Sequence, residues 1–137
     1  MGTDLPSYPT SIQQEIYDES LYLTLMTKVD GKVSRGLILK IRDQFALADT
    51  LKKWESSMTN DLKQSFALTT TKVVSVGFLD NTYQGVAIRY RNFIDSNNTI
   101  DYAVINAPNG DTYLVITSSK AHIYAVIDRI GGIVPGK

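Results

Sequence analysis

Residues 100–130 hold the feature that most constrains the fold, two β-rich runs that flank a tight turn. The runs are residues 102–105 and 113–116, and the turn is centred on the Pro-Asn-Gly sequence at residues 108–110. Two runs of β-branched and aromatic residues around an Asn-Gly turn are the strongest short-range signal of a β-hairpin. We therefore expect an antiparallel pair of strands here.

A helix is predicted directly after this hairpin. Ser118 or Ser119 supplies the N-cap, because a serine hydroxyl can accept a hydrogen bond from a free backbone N–H of the first turn. Gly131 is typical of the residue that follows the end of a helix. The spacing i, i+3, i+4, i+7 places four apolar residues on one stripe of this helix: Ile123, Val126, Ile127 and Ile130.

A second hairpin and a long helix are predicted in the first half of the chain. Residues 20–28 and 33–42 alternate apolar and polar side chains around an Asp-Gly turn, a pattern typical of two paired strands. Asp43 is a candidate N-cap for a helix at about residues 44–65. The apolar stripe of that helix predicts that Trp54, at its middle, is buried against the sheet: Leu47, Leu51, Trp54, Met58 and Leu62.

Two more strands complete the predicted set, at residues 72–79 and 83–91, with a turn at Asp80-Asn81 between them. The predicted element order is β-β-α-β-β-β-β-α. Because hairpins connect most of the strands, the fold class is α+β, with a mainly antiparallel sheet of about six strands and two principal helices packed on it.

Length and composition are those of one ordinary globular domain. The chain has 137 residues, which predicts a single domain at residues 12–131, after a linker or cloning-derived head at residues 1–11 and before a flexible tail at residues 132–137. Fourteen basic residues balance fourteen acidic ones, which argues against nucleic acid as the main partner. The absence of cysteine excludes disulfides and thiolate chemistry.

The single histidine, His122, is the one candidate general base with an ordinary pKa near neutrality. Ser118 and Ser119 lie nearby, but the chain has no G-x-S-x-G turn and no acid at a recognisable offset. We therefore predict no catalytic residue, and we place His122 on the exposed face of the last helix, beyond its apolar stripe.

Oxygen-bearing side chains recur at every second residue of one segment: Asp95, Asn97, Thr99 and Asp101. This spacing resembles the start of an EF-hand loop, which needs Gly at its sixth position and Glu at its twelfth. Ile100 and Asn106 stand there instead, so we expect no metal site. The chain also lacks GxGxxG, GxxxxGK[ST] and HExxH sequences, so we expect no cofactor.

Five tyrosines concentrate in the second half of the chain and form the candidate interaction surface: Tyr83, Tyr90, Tyr102, Tyr113 and Tyr124. Tyrosine combines an apolar ring with a polar tip and is favoured on recognition surfaces. It is also favoured in β-strands, so a structural role for these residues is the alternative.

Two segments together resemble a known family. They are residues 46–66, ALADTLKKWESSMTNDLKQSF, and residues 99–130, whose second strand reads LVIT. The residues that carry the likeness are Trp54, Glu55, Met58, Asp61, Leu62, Leu114, Val115, Ile116 and Thr117. The pattern is similar to an extracytoplasmic domain of uncharacterised, membrane-anchored proteins of candidate-phylum (Parcubacteria-like) bacteria. The element order also resembles that of the Mog1/PsbP-like domains, most of which are binding or assembly modules.

This resemblance implies a domain held outside the cytoplasmic membrane by an N-terminal helix beyond the present sequence, and it brings no catalytic motif. We therefore expect a non-enzymatic interaction or assembly domain of a bacterial envelope protein. Its partner would be a protein or another envelope component, with membrane contact only through that outside segment. The alternative is a small-molecule-binding or hydrolytic domain with a cleft near the last helix.

Overall fold

The structure is a computed structural model that describes residues 21–26, 33–41, 44–63, 77–94, 99–108 and 110–130. Its elements, in chain order, are β1 (Leu21–Met26), β2 (Val33–Ile41), α1 (Gln44–Leu62), β3 (Leu79–Tyr83), β4 (Val86–Asn92), β5 (Thr99–Asn106), β6 (Thr112–Thr117) and α2 (Lys120–Ile130). The strands form one sheet in the order β1-β2-β6-β5-β4-β3, and every neighbouring pair is antiparallel. The predicted α+β class and antiparallel sheet are confirmed.

The two helices lie on opposite faces of this sheet. Alternate residues of a strand project to opposite faces, so β2, β5 and β6 each contribute to two separate apolar clusters. On the α1 face, the helix buries Leu51, Trp54, Met58 and Leu62 against Leu37, Leu39, Ile41, Ile100, Leu114 and Ile116. On the α2 face, the helix buries Ile123, Val126 and Ile127 against Ile88, Ala103, Ile105 and Val115. The domain therefore has three layers, with the sheet in the middle.

Trp54 lies at the centre of the α1 cluster, as the stripe predicts. Trp54 is 2% exposed, and its indole N–H donates a hydrogen bond to Asp61 Oδ2, 2.6 Å away and about two helical turns further along. Leu51, Met58 and Leu62 are also buried. The helix ends at Leu62, three residues earlier than the predicted end.

The predicted hairpin and helix at residues 100–130 are confirmed. Asn106 and Thr112 close the β5–β6 pair, and the backbone N–H of Gly110 donates to the carbonyl of Ala107 in the turn. Gly110 has a φ of 93°, which a residue without a Cβ adopts at little cost. At the start of α2, the Ser119 Oγ accepts the backbone N–H of residue 122 at 3.4 Å, as expected of a candidate cap.

The predicted turn at Asp80-Asn81 is wrong, because both residues lie inside β3. The chain reverses at Gln84-Gly85, where the φ angles are 52° and 78°. Positive φ at both central residues is the requirement of a two-residue type I′ hairpin loop, which matches the twist of the flanking strands. Of the strand predicted at residues 72–79, Leu79 belongs to β3, and residues 72–76 lie outside the described residues.

Several predictions fall on residues that the structure does not describe. They are the linker head at 1–11, the turn at 30–31, the cap at 43, the helix stop at 131 and the tail at 132–137. Within the described residues, neither helix has the length and hydropathy needed to span a membrane.

Candidate functional site

A polar recess of about 150 Å³ lies on the α2 face of the sheet, beside the first residue of α2. The strand register brings its walls together, because Asp101 of β5 pairs with Tyr90 of β4 and both project to the same face. Asn92 lies two residues beyond Tyr90 and shares that face. We call this site the Asp101 recess, and its described lining comprises Asn81, Tyr90, Asn92, Asp101 and Lys120.

Asp101 is the buried charge of the recess. The residue is 1% exposed, yet it lines the cavity. Its Oδ1 accepts a hydrogen bond from the hydroxyl of Thr99. Burial raises the pKa of the Asp101 carboxyl to about 6, although the Thr99 hydrogen bond and the charge of Lys120 act in the opposite direction. The carboxylate is therefore ionised at neutral pH but lies in surroundings that disfavour its charge.

Lys120 places a positive charge at the recess without pairing directly with Asp101. Among the described residues, no lysine, arginine or histidine nitrogen lies within the 4.0 Å of an Asp101 oxygen that an ion pair requires. The Lys120 ammonium lies instead 5.6 Å from the centroid of the Tyr124 ring. The recess therefore carries opposite charges that are separated by a gap.

Aromatic and polar contacts hold the wall of the recess beside α2. The rings of Tyr83 and Tyr124 are stacked, with centroids 3.9 Å apart and planes 5° from parallel. The Asn81 amide donates to the Tyr124 hydroxyl at 2.8 Å, and the Tyr83 hydroxyl donates to Asp128 Oδ2 at 3.0 Å. That hydrogen bond to Asp128 raises the pKa of Tyr83. These contacts tie β3 to α2 and fix the orientation of the Asn81 side chain.

A second buried carboxylate lies on the α1 face, but it is fully paired. Glu55 accepts two hydrogen bonds from the Arg89 guanidinium, at 2.7 and 2.8 Å, and a third from the Tyr102 hydroxyl. Arg89 also donates to Asp80 at 2.9 Å. We call these four residues the Glu55 network. Burial acts to raise the pKa of Glu55, but the hydrogen bonds from Arg89 and Tyr102 outweigh it, so its pKa is lowered.

The structure divides the five candidate tyrosines between the two faces. Tyr83 and Tyr124 stack on each other, Tyr90 lines the Asp101 recess, and Tyr113 packs at the edge of the α2 cluster. Tyr102 lies on the α1 face and is 4% exposed, in contact with Glu55. Four of the five thus share one face, and Tyr102 takes no part in that surface.

The predicted exposure of His122 is wrong, since its residue is 6% exposed. Position 122 precedes Val126 by four residues, so it extends the buried stripe of α2 by one further helical turn towards the N-terminus. His122 does not belong to the described lining of the Asp101 recess. The structure therefore brings this histidine to the core of the α2 face rather than to the site.

The segment that resembles a calcium loop is described only in part. Asp95 and Asn97 lie outside the described residues, whereas Thr99 and Asp101 belong to β5 and hydrogen bond to each other. Within the described part of the chain, no three His, Asp or Glu side chains gather closely enough to hold a metal ion.

Sequence reasoning named Asp101, but only as a turn or metal-loop residue. The signal of its burial lies in the strand itself, because Asp101, Ala103 and Ile105 alternate onto one face of an apolar run. Lys120, Asn81 and Asn92 come from other elements and have no diagnostic spacing. Comparison of the chain with known protein families, with curated proteins and with solved structures finds no match.

Proposed function

We propose that this chain is a non-enzymatic binding domain and that the Asp101 recess is its binding site. The observation that carries the proposal is a carboxylate with 1% of its residue exposed that nevertheless lines a polar cavity. A buried charge without an ion-pair partner lowers the stability of a fold, and such groups concentrate where a protein binds something.

The chemistry of the lining favours binding over catalysis. The described walls offer a carboxylate, an ammonium, a phenol and two carboxamides. Hydrolysis by a nucleophilic side chain needs a hydroxyl or thiol held by a base, and His122, the only histidine of the chain, is buried elsewhere on α2. A cavity of about 150 Å³ suits one small ligand or one partner side chain rather than a long substrate.

We further propose that the domain acts outside the cytoplasm in a bacterial envelope protein, as an interaction or assembly module. The resemblance through Trp54, Glu55 and Met58 and the β6 residues supports this location. An epitope tag at the C-terminus of the full-length natural protein tests it. Protease added to spheroplasts should remove the tag, and a tag that stays protected until the cells are lysed would contradict the location.

The binding proposal is tested by an NMR screen of small polar compounds against the ¹⁵N-labelled chain. We expect the compounds that bind to shift amide resonances of β4, β5 and the first turn of α2. Lys120→Gln should weaken those responses, whereas Lys53→Gln, an exposed substitution on the other helix, should leave them unchanged. Responses that are absent from the Asp101 recess, or that concentrate elsewhere, would contradict the proposal.

A further inference from the structure

We propose that the ligand of the Asp101 recess is a small zwitterion of the amino-acid class, with its ammonium group at Asp101 and its carboxylate at Lys120. This inference rests on the proposed function and names the ligand for the same site. Two charges of opposite sign line one cavity and do not pair with each other, so that a ligand can take the place between them.

The two charges act together as a filter on ligand charge. A simple cation would gain from Asp101 but would be repelled by Lys120, and a simple anion would meet the reverse. A ligand that carries an ammonium and a carboxylate on the same carbon gains at both ends. The site therefore favours a zwitterion over either ion of the same size, which is selection by repulsion as well as by attraction.

The neutral groups of the recess complete the match. An ammonium has three protons to donate, and the carboxylate of Asp101 takes one or two of them. Tyr90 and Asn92 line the same cavity, and their side chains carry a hydroxyl and an amide oxygen that can accept hydrogen bonds from the remaining protons. The Asn81 side chain is already oriented, because its amide donates to Tyr124 and its oxygen accepts the backbone N–H of Thr82.

Binding also removes the cost of burying Asp101. In the free protein this residue is 1% exposed, and its carboxylate receives one hydrogen bond among the described side chains, from Thr99. A ligand ammonium supplies a charge-assisted hydrogen bond, the strong type that a buried carboxylate lacks here. The volume, about 150 Å³, accommodates roughly six heavy atoms, which is the size of glycine or alanine.

The experiment is an NMR titration of the ¹⁵N-labelled chain with glycine, L-alanine, methylammonium, acetate and acetamide, each at millimolar concentration. We expect glycine and alanine to bind at the recess about tenfold more tightly than methylammonium or acetate. In Lys120→Gln, affinity for glycine should fall about tenfold and affinity for methylammonium should rise. Asp101→Asn should lose binding of all three amines, and Lys53→Gln should behave as the parent.

The outcomes separate the two proposals. If methylammonium, acetate or acetamide binds the recess as tightly as glycine, the ligand class is wrong but the site stands. The same holds if none of the five probes binds while the wider compound screen still places ligands at the recess. If that screen also leaves the recess empty, both the zwitterion inference and the proposed binding function fail.

Discussion

The two faces of the sheet each bury one carboxylate, and they treat it in opposite ways. On the α1 face, Glu55 receives three hydrogen bonds, two of them from a guanidinium, and its pKa is lowered. On the α2 face, Asp101 receives one from Thr99, and burial raises its pKa to about 6. The donors for Glu55 thus come from within the fold, whereas the Asp101 carboxylate can accept further hydrogen bonds beyond the described one.

A structural charge and a candidate binding site differ here in the hydrogen bonds that each carboxylate receives. The residues that carry the two carboxylates are both at most 9% exposed, so low exposure alone does not identify a site. The difference lies in the hydrogen-bond donors. A carboxylate has about four lone-pair positions, and the described residues supply three donated bonds to Glu55 and one to Asp101. An under-supplied carboxylate that lines a cavity is the one to test for a ligand.

The largest effect is expected from Trp54→Ala, which removes the side chain that holds α1 and hence Glu55 against the sheet. Loss of a buried tryptophan should lower the free energy of unfolding by about 3–5 kcal/mol. Denaturant unfolding measures the loss, with Leu79→Ala, at a residue that is 45% exposed, as the control. A Trp54 variant that melts within a degree or two of the parent would contradict the assigned core.

Breaking the Glu55 network should have the next largest effect. Arg89→Met leaves Glu55 buried without its cation, and loss of one partner of such a pair costs about 3 kcal/mol. Because the pKa of Glu55 is lowered in the native state from 4.5, the stability it contributes is present above that value and is lost as pH falls through the native pKa. Arg89→Met should remove this acid dependence.

Unfolding of Arg89→Met and its parent between pH 3 and pH 7 checks both expectations. Lys53→Met serves as the control, because Lys53 is exposed on the same helix as Glu55. An Arg89 variant as stable as the Lys53 variant at neutral pH would show that the Glu55 network does not stabilise the fold. The contrast between Glu55 and Asp101 would then no longer hold.

Asp101→Asn should raise the free energy of unfolding at pH 7, whereas the two substitutions above should lower it. The pKa of Asp101 is 3.8 in the unfolded state and about 6 in the native state. The free energy of unfolding of the parent therefore falls as the pH rises from about 4 to about 6, and it remains at the lower value above pH 6. Such a shift corresponds to at most roughly 3 kcal/mol. Asparagine keeps the acceptor for Thr99 and removes the charge.

The gain of Asp101→Asn should shrink as the pH is lowered towards 4, where the parent aspartate is protonated. Asp111→Asn is the control, because Asp111 lies 3.6 Å from Lys40 in a partly exposed ion pair that is worth little. Loss of stability in Asp101→Asn at pH 7 would mean that the fold itself uses this carboxylate, and the contrast with Glu55 would disappear.

The smallest effect is expected from calcium. The segment from Asp95 to Asp101 lacks the Gly and Glu of a calcium loop, so melting curves with millimolar calcium and with chelator should coincide. A calcium-dependent rise of several degrees would instead reveal a site that includes Asp101, since a ligand of the native state raises stability. The carboxylate would then serve an inorganic cation rather than an amine.

The order of the elements was predictable from the sequence because it depends on local patterns. The hairpin turn at residues 108–110 and the stripes around Trp54 and Ile127 each carry their signal within a few neighbouring residues. The β3–β4 turn was misplaced because Asp and Asn are common turn residues and Gln is not. Gln84 nevertheless has a positive φ, which the two-residue hairpin loop requires.

The site was not predictable in the same way, because its residues are distant in sequence and come together only when the strands pair and the helix packs on them. Asp101 meets Tyr90 through strand register, and Lys120 arrives with a helix that packs over β5 and β6. No spacing of residues in the sequence predicts that these side chains lie close together. Burial of His122 was open to prediction, however, since continuing the stripe back by four residues from Val126 reaches it.

The strand order has a consequence for synthesis on the ribosome. Strands β3 to β6 can pair one after another as they emerge, since each lies beside its predecessor. The hairpin of β1 and β2 is made first, yet its neighbour in the sheet is β6, with residues 36–41 pairing to residues 112–117. The edge of β2 that pairs with β6 must therefore stay unpaired until nearly the whole domain has left the exit tunnel, and an unpaired strand edge of this kind is prone to aggregation unless a chaperone protects it.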